Sequence, residues 1–166
     1  MGCGGGKLIN KVDVDMSHFD VQRCIGRGGF GKVHAVVKLS HPHKDEWYAC
    51  KALEKAHICK TNMFGEVARE LAFLKTLHHP LICNGHYAFQ DGNHLYLVLD
   101  LAMGGDMRVH IKEKQQTNTF FKEAEIKYWA ASLISALDFC HSLLILHRDI
   151  KPGERTSGRT TSCVVT

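Results

Sequence analysis

No run of about 18 apolar residues occurs anywhere in this chain of 166 residues, so an ordinary membrane-spanning helix is not expected. No charged-then-apolar leader opens it, which argues against the usual secretory route. A basic stripe is missing as well. The 21 Lys and Arg against 17 Asp and Glu give a formal charge of +4, but they are dispersed, leaving nothing continuous to neutralise a nucleic-acid backbone. Paired cysteines are absent too. The seven cysteines are odd in number and never closer than nine positions apart, a spacing that suggests neither a zinc knuckle nor a disulfide framework and fits a reducing cytosol. There is no internal repeat. What is present is 45% hydrophobic composition, enough for one core and too little length for two comfortable ones.

Organisation follows from the periods of the apolar positions. The opening MGCGGGKLINKV holds four glycines and reads as a flexible tail, with folded structure expected from about Ser17. Alternation predicts strands from His18 to Ile25 and from Gly31 to Leu39, the second placing Val33, Ala35, Val37 and Leu39 on one face. After the polar connection His41–Glu46, Trp47, Ala49, Lys51 and Leu53 alternate as a third strand. The period then changes. Phe64, Val67, Leu71 and Leu74 recur at helical spacing between Met63 and Leu77. Runs from Leu81 to Phe89 and Leu95 to Leu101 predict two more strands, joined through the Asp-Gly turn at Asp91-Gly92. After Gly104-Gly105 the pattern is helical. Its longest segment, Glu123 to Leu144, carries Ile126, Ala130, Leu133 and Leu137 on one stripe. The final 14 residues lack an apolar period, so disorder is expected there.

Gly26-Arg27-Gly28-Gly29-Phe30-Gly31 fits G-x-G-x-x-G, a pattern that dinucleotide-binding folds use at a helix start. Here the residues from Lys32 to Leu39 alternate like a strand, which makes the glycines the tip of a β-hairpin. Glycines lacking Cβ let backbone N–H groups approach phosphate oxygens, and Phe30 at the tip would shield them from water; the bland alternative is a glycine-rich turn. Lys51 stands twenty positions after Gly31, in Tyr48-Ala49-Cys50-Lys51, on the same strand face as Ala49. Leu146-His147-Arg148-Asp149-Ile150-Lys151-Pro152 follows the long helix.

In this order, across about residues 18 to 152, these motifs resemble the protein kinase family. The resemblance implies an α+β fold: a small lobe of five antiparallel strands with one helix, then the first helices of an incomplete helical lobe. The boundaries expected are a tail over 1–17, a partial kinase domain over 18–152 divided after 101, and a divergent tail over 153–166. The function implied is phosphoryl transfer from ATP, with Mg²⁺, to protein Ser or Thr. ATP would lie against Gly26, Arg27, Gly28, Gly29, Phe30, Gly31, Val33 and Ala49, with its phosphates near Lys51. Its adenine edge would meet backbone groups of Asp100 and Ala102, with Leu99 behind. Glu70 would orient Lys51, with Glu66 one turn earlier as the competitor. Asp149 would accept the proton of the substrate hydroxyl, Arg148 would meet an activation-loop phosphate, and Lys151 points to Ser/Thr rather than Tyr. Asp106 would contact the ribose or a basic substrate residue, or else cap the helix at Met107. Gly104-Gly105-Asp106, Tyr87-Ala88-Phe89-Gln90-Asp91 and the Met-Gly start look most like the AGC-related YANK kinases.

The chain also departs from the family. Where kinases place a magnesium-binding Asn, five positions after the catalytic Asp, it has Glu154, and the Asp-Phe-Gly and activation segments are not in these 166 residues. No metal ligand set is therefore assigned, little or no phosphoryl transfer is expected from this chain, and a non-catalytic nucleotide- or partner-binding fragment is the alternative. Gly85 stands where the family usually packs a leucine, and a packing gap is expected there. The long helix is expected to expose apolar surface that more of the helical lobe would cover. Gly2 and Cys3 offer sites for myristate and palmitate, although Gly6 replaces the preferred Ser or Thr; Cys163 formally fits a prenylation motif, read as coincidence. The pairs His41, His43 and His78, His79 are read as solvated imidazoles in preference to metal ligands.

Overall fold

The computed structural model describes residues 14–28, 31–41, 43–104, 107–147 and 150. A 3-10 turn at Met16–His18 leads into strands β1 (Phe19–Gly28), β2 (Gly31–Lys38) and β3 (Trp47–Glu54). Helices α1 (Lys55–Thr61) and α2 (Phe64–Thr76) follow, then β4 (Gly85–Gln90), β5 (His94–Asp100), α3 (Met107–Gln116) and α4 (Glu123–Ser142). Among these residues one compact unit holds 14–78 with 84–101, and a second holds 79–83 with 102–150.

The first unit is a five-stranded antiparallel sheet in the order β1-β2-β3-β5-β4 with α1 and α2 in the crossover between β3 and β5. Both faces of the sheet are covered. On one, Phe19, Val36, Tyr48, Cys50, Tyr87 and Val98 form a core in which Phe19 meets Tyr87 edge-on, with ring centroids 5.7 Å apart. On the other, Leu53, Ile58 and Leu97 pack with Val67, Leu71 and Leu74 of α2. Burying apolar surface on both faces stabilises the sheet by roughly 25 cal/mol per Å² removed from water.

Val33, Ala35 and Val37 share the face predicted for β2, with Ala35 buried, but the opposite face is buried as well. Val36, from the opposite face to Val33, Ala35 and Val37, is wholly buried, whereas Leu39 lies past the strand end and is half exposed. Trp47, at the start of β3, is likewise 52% exposed. Lys38 also points inward, its ammonium over the rings of Phe19 and Tyr87 at 5.3 and 5.4 Å and donating to Ser40 Oγ at 2.6 Å. Burial pushes the Lys38 ammonium below its ordinary value.

Helix α1 was not anticipated. It starts directly from β3 without a side-chain cap, and it ends where Asn62 adopts a left-handed conformation (φ 53°), its N–H bonded to the Cys59 carbonyl. The fourth strand begins at Gly85 rather than Leu81: residues 81–84 form a turn and loop, and Ile82 is buried in the second unit. The hairpin between β4 and β5 is closed by the Asp91 carboxylate, whose Oδ1 accepts the N–H groups of Asn93 and His94, both at 2.7 Å, while Oδ2 accepts the Tyr96 hydroxyl at 2.7 Å. Gly92 needs no left-handed conformation there.

No gap is found at Gly85. A Cβ on this buried glycine would stand 2.9 Å from Leu74 Cβ and 3.3 Å from the Leu74 carbonyl oxygen, so the space a leucine would take is occupied by α2 itself.

In the second unit, α4 starts where Glu125 reaches back to accept the Lys122 N–H at 2.7 Å. Its buried stripe is Ser132, Ala136 and Cys140, rotated from the predicted one: Ile126 is half exposed and Ala130 is exposed, while Leu133 and Leu137 flank the buried line. Ile126, Tyr128 and Ile134 therefore present apolar surface on this helix. His79 stacks on Phe139, with ring centroids 4.9 Å apart.

Candidate functional site

The glycine hairpin is built by β1 and β2, with Gly28 paired to Gly31 across its mouth. Gly31 has φ +152°, and a Cβ there would stand 1.8 Å from the Ala52 carbonyl oxygen, so no other residue fits this contact with β3. Gly26 differs. A Cβ at that position would meet only the Val33 side chain, Cβ at 3.8 Å and Cγ2 at 4.0 Å, both ordinary contacts, so neither backbone conformation nor packing demands glycine there. Arg27 is exposed opposite Lys32. Gly29 and Phe30 lie outside the described residues.

The antiparallel register sets Lys51 of β3 between Val33 of β2 and Leu97 of β5, and sets Ala49 between Ala35 and Leu99. A strand lysine is ordinarily solvated, yet this side chain is only 7% exposed. Taking an ammonium out of water is costly unless it is paired and hydrogen-bonded. Glu70 supplies the pairing, its Oε1 and Oε2 accepting from Lys51 Nζ at 2.6 and 2.9 Å. Helical spacing explains why this carboxylate arrives: Glu70 is three positions after Val67 and four before Leu74, both packed against the sheet, so it lies at the edge of the buried face of α2. Glu66, in the first turn of α2, is exposed and does not make this bond. The result is a cation of fixed direction on the sheet face beside the glycine hairpin. Such an arrangement suits a phosphate-bearing ligand, because a held ammonium forms charge-assisted hydrogen bonds without first being ordered.

Leu99 packs at the edge of the cluster formed by Leu53, Ile58 and Leu97. Asp100, the last residue of β5, is held by two residues that the sequence did not single out. His86 Nε2 lies 2.5 Å from its Oδ1, and Asn84 donates to its Oδ2 from the backbone N–H at 2.8 Å and from Nδ2 at 2.9 Å. Burial pushes the Asp100 carboxyl up, but the bonds from His86 and Asn84 outweigh it and leave the group below the usual carboxylate value. The Tyr48 hydroxyl donates to Glu46 at 2.5 Å nearby; burial, then this bond, pushes the phenol far above its ordinary range.

Ala102 lies in the second unit and is partly buried. His147 there lines a small apolar cleft with Ile82, Leu133, Ala136, Leu137 and Cys140. Asp106, Arg148, Asp149, Lys151 and Glu154 lie outside the described residues, as do Gly2 and Cys3. Among the described residues no group of three or more His, Cys, Asp or Glu side chains is placed to hold a metal ion.

A family profile described as "Protein kinase domain" matches residues 19–154. Among curated proteins the chain is 36% identical over 160 residues to a probable serine/threonine-protein kinase of Dictyostelium discoideum, covering 96% of this chain and 33% of that protein. It is 37% identical over 140 residues to serine/threonine-protein kinase 32B of Homo sapiens, 84% of this chain and 32% of that protein. It is 36% identical over 143 residues to serine/threonine-protein kinase 32C of Mus musculus, 86% of this chain and 28% of that protein. The chain thus spans about a third or less of the length of these relatives.

Proposed function

The chain belongs to the protein kinase family, with AGC-like Ser/Thr kinases among its relatives, and from that premise we propose that its sheet-bearing unit binds ATP for phosphoryl transfer to a protein hydroxyl. The observation that carries this reading is the Lys51–Glu70 pair: a buried ammonium, 2.6 Å from a carboxylate on another element, on the strand next to a glycine hairpin. The side chains present fit a triphosphate. Lys51 supplies the positive charge, Glu70 aims it, and Gly26 leaves open backbone where a side chain would be tolerated by the fold alone. Ala49 and Val33 offer small and branched apolar surface on the same sheet face for a base to lie against.

In the transfer the Ser or Thr hydroxyl oxygen of the substrate bonds to the γ-phosphorus, the bond from that phosphorus to the β,γ-bridging oxygen breaks, and ADP leaves. Asp149 takes the hydroxyl proton, with Arg148 and Lys151 beside it in sequence. Mg²⁺, for which Glu154 is the one residue of this sequence at a magnesium-binding position, would supply charge neutralisation at the phosphates. Asp106, two positions after Gly104, is assigned to the ribose or to a basic substrate residue.

A thermal-shift titration with ATP, with and without Mg²⁺, tests the binding half: ATP raises the melting temperature and Lys51→Ala abolishes the rise. Incorporation of labelled γ-phosphate into a Ser/Thr peptide pool, lost in Asp149→Ala, tests the transfer half. Glu154 at the position of the magnesium-binding Asn favours a second reading, nucleotide binding without transfer, which predicts the thermal shift and no incorporation. The Gly2-Cys3 start further suggests acylation and a cytosolic protein held at a membrane surface; myristate labelling lost in Gly2→Ala tests that.

A further inference from the structure

Strand β4 does not run straight beside its partner. Gly85 lies opposite Leu99 and Tyr87 opposite Val98, so His86 is an extra residue in the strand, a β-bulge. A bulge re-aims a side chain that simple alternation would send elsewhere. Here it brings the imidazole to the end of β5, with Nε2 2.5 Å from Asp100 Oδ1. Asn84 takes the other carboxylate oxygen through two donors, at 2.8 and 2.9 Å, and its carbonyl accepts the Asp100 N–H at 3.0 Å. Both oxygens and the main-chain N–H of one residue are thus gripped from a single short segment. The groups facing His86 are Asp100 at the end of β5, the Tyr48 ring of β3 with its centroid 4.9 Å away, and Glu46, whose carboxylate is influenced by the imidazole and accepts the Tyr48 hydroxyl.

Strand ends are where backbone hydrogen bonds open most readily. A ligand read by main-chain groups tolerates little displacement, since about 1 Å of error in a supporting residue weakens a site markedly. We infer that His86 is a positioning residue: by holding the Asp100 carboxylate it fixes the main chain at the end of β5, where the adenine edge of a bound nucleotide is recognised. The adenine role rests on the nucleotide reading above; the clamp itself does not.

The test compares the full 166-residue chain with His86→Leu, which removes the ring donor, and His86→Gln, whose amide restores one. Because the His86 side chain is 36% exposed, neither change leaves a sealed cavity. Amide hydrogen exchange followed by NMR reads the clamp without nucleotide. In His86→Leu the Asn84 and Asp100 amides exchange roughly 10-fold faster while the Val36 amide keeps its rate, and His86→Gln recovers most of the difference. In parallel the Kd for ATP rises roughly 10-fold in His86→Leu and less than about 3-fold in His86→Gln. Unchanged exchange at Asn84 and Asp100, or the same acceleration at every amide, overturns the clamp. Tight ATP binding indifferent to His86→Leu overturns the positioning role alone. An unmutated chain that binds no ATP removes the nucleotide reading and the adenine role with it.

Discussion

Glu70 on α2 meets Lys51 on β3 with both carboxylate oxygens, at 2.6 and 2.9 Å, across nineteen positions of sequence. The two side chains are 19% and 7% exposed, so both are largely withdrawn from bulk water. Lys51→Met leaves the Glu70 carboxylate without this cation in a mostly dry site. A loss of about 3 kcal/mol in urea unfolding is expected, with much of it recovered in the double variant Lys51→Met/Glu70→Leu. Equal stability of the single variant and the unmutated chain would show the pair to be incidental.

Two glycines of one hairpin should answer differently to a methyl group. Gly31→Ala drives a Cβ into the Ala52 carbonyl at φ +152°, and should lower stability by about 2 kcal/mol or more. Gly26→Ala meets only Val33 at 3.8 Å and should change melting by no more than about 0.5 kcal/mol while weakening ATP binding. Melting curves with and without ATP read both.

Gly85→Ala forces either Leu74 or the strand to shift, since the added Cβ would stand 2.9 Å from Leu74 Cβ. A destabilisation of about 1–3 kcal/mol is expected from overpacking. Removing the opposing Cβ in Gly85→Ala/Leu74→Gly should relieve part of this cost in a double-mutant cycle, because both changes concern the Cβ–Cβ contact. Additive costs would place the strain elsewhere.

The Asp91 carboxyl is drawn down from 3.8 to about 2, chiefly by the Tyr96 hydroxyl and then by the N–H groups of Asn93 and His94. Its folded value lies below its unfolded one, so this stabilisation is fully present above about pH 4 and is lost as the pH falls toward 2. Asp91→Ala should lower the melting temperature at pH 7 and flatten its decline between pH 4 and 2, leaving the two proteins closer in acid. A constant difference across that range would mean that the turn, and not the charge, is responsible.

The strands and α2 were legible because period two and period 3.6 differ sharply in Lys32–Leu53 and Phe64–Leu74. The Lys51–Glu70 pair could be read for the same reason, one partner fixed by strand parity and the other by helical spacing. Period two could not say that both faces of β2 are covered, which is why Val36 and Lys38 were passed over. Helix α1 has only seven residues and no capping side chain at its start; Asn62 at its end was the sole local signal. The grip of Asn84 and His86 on Asp100 was out of reach, because a single inserted residue in β4 reverses the parity on which any reading of the strand depends. Gly85 misled for a related reason: a glycine in sequence shows the volume it lacks, and says nothing about which neighbour moves in.

The crossover in strand order bears on how the molecule assembles. β1, β2 and β3 meet through successive antiparallel neighbours, whereas β3 can acquire β5 only after α1, α2 and β4 have been made and turned back. The early meander is therefore expected to emerge from the ribosome with its third strand an open edge, and closure of that edge carries the larger loop entropy. Until it closes, the row holding Lys51 has no Leu97 beside it, so the Lys51 ammonium becomes fixed among the last events of folding.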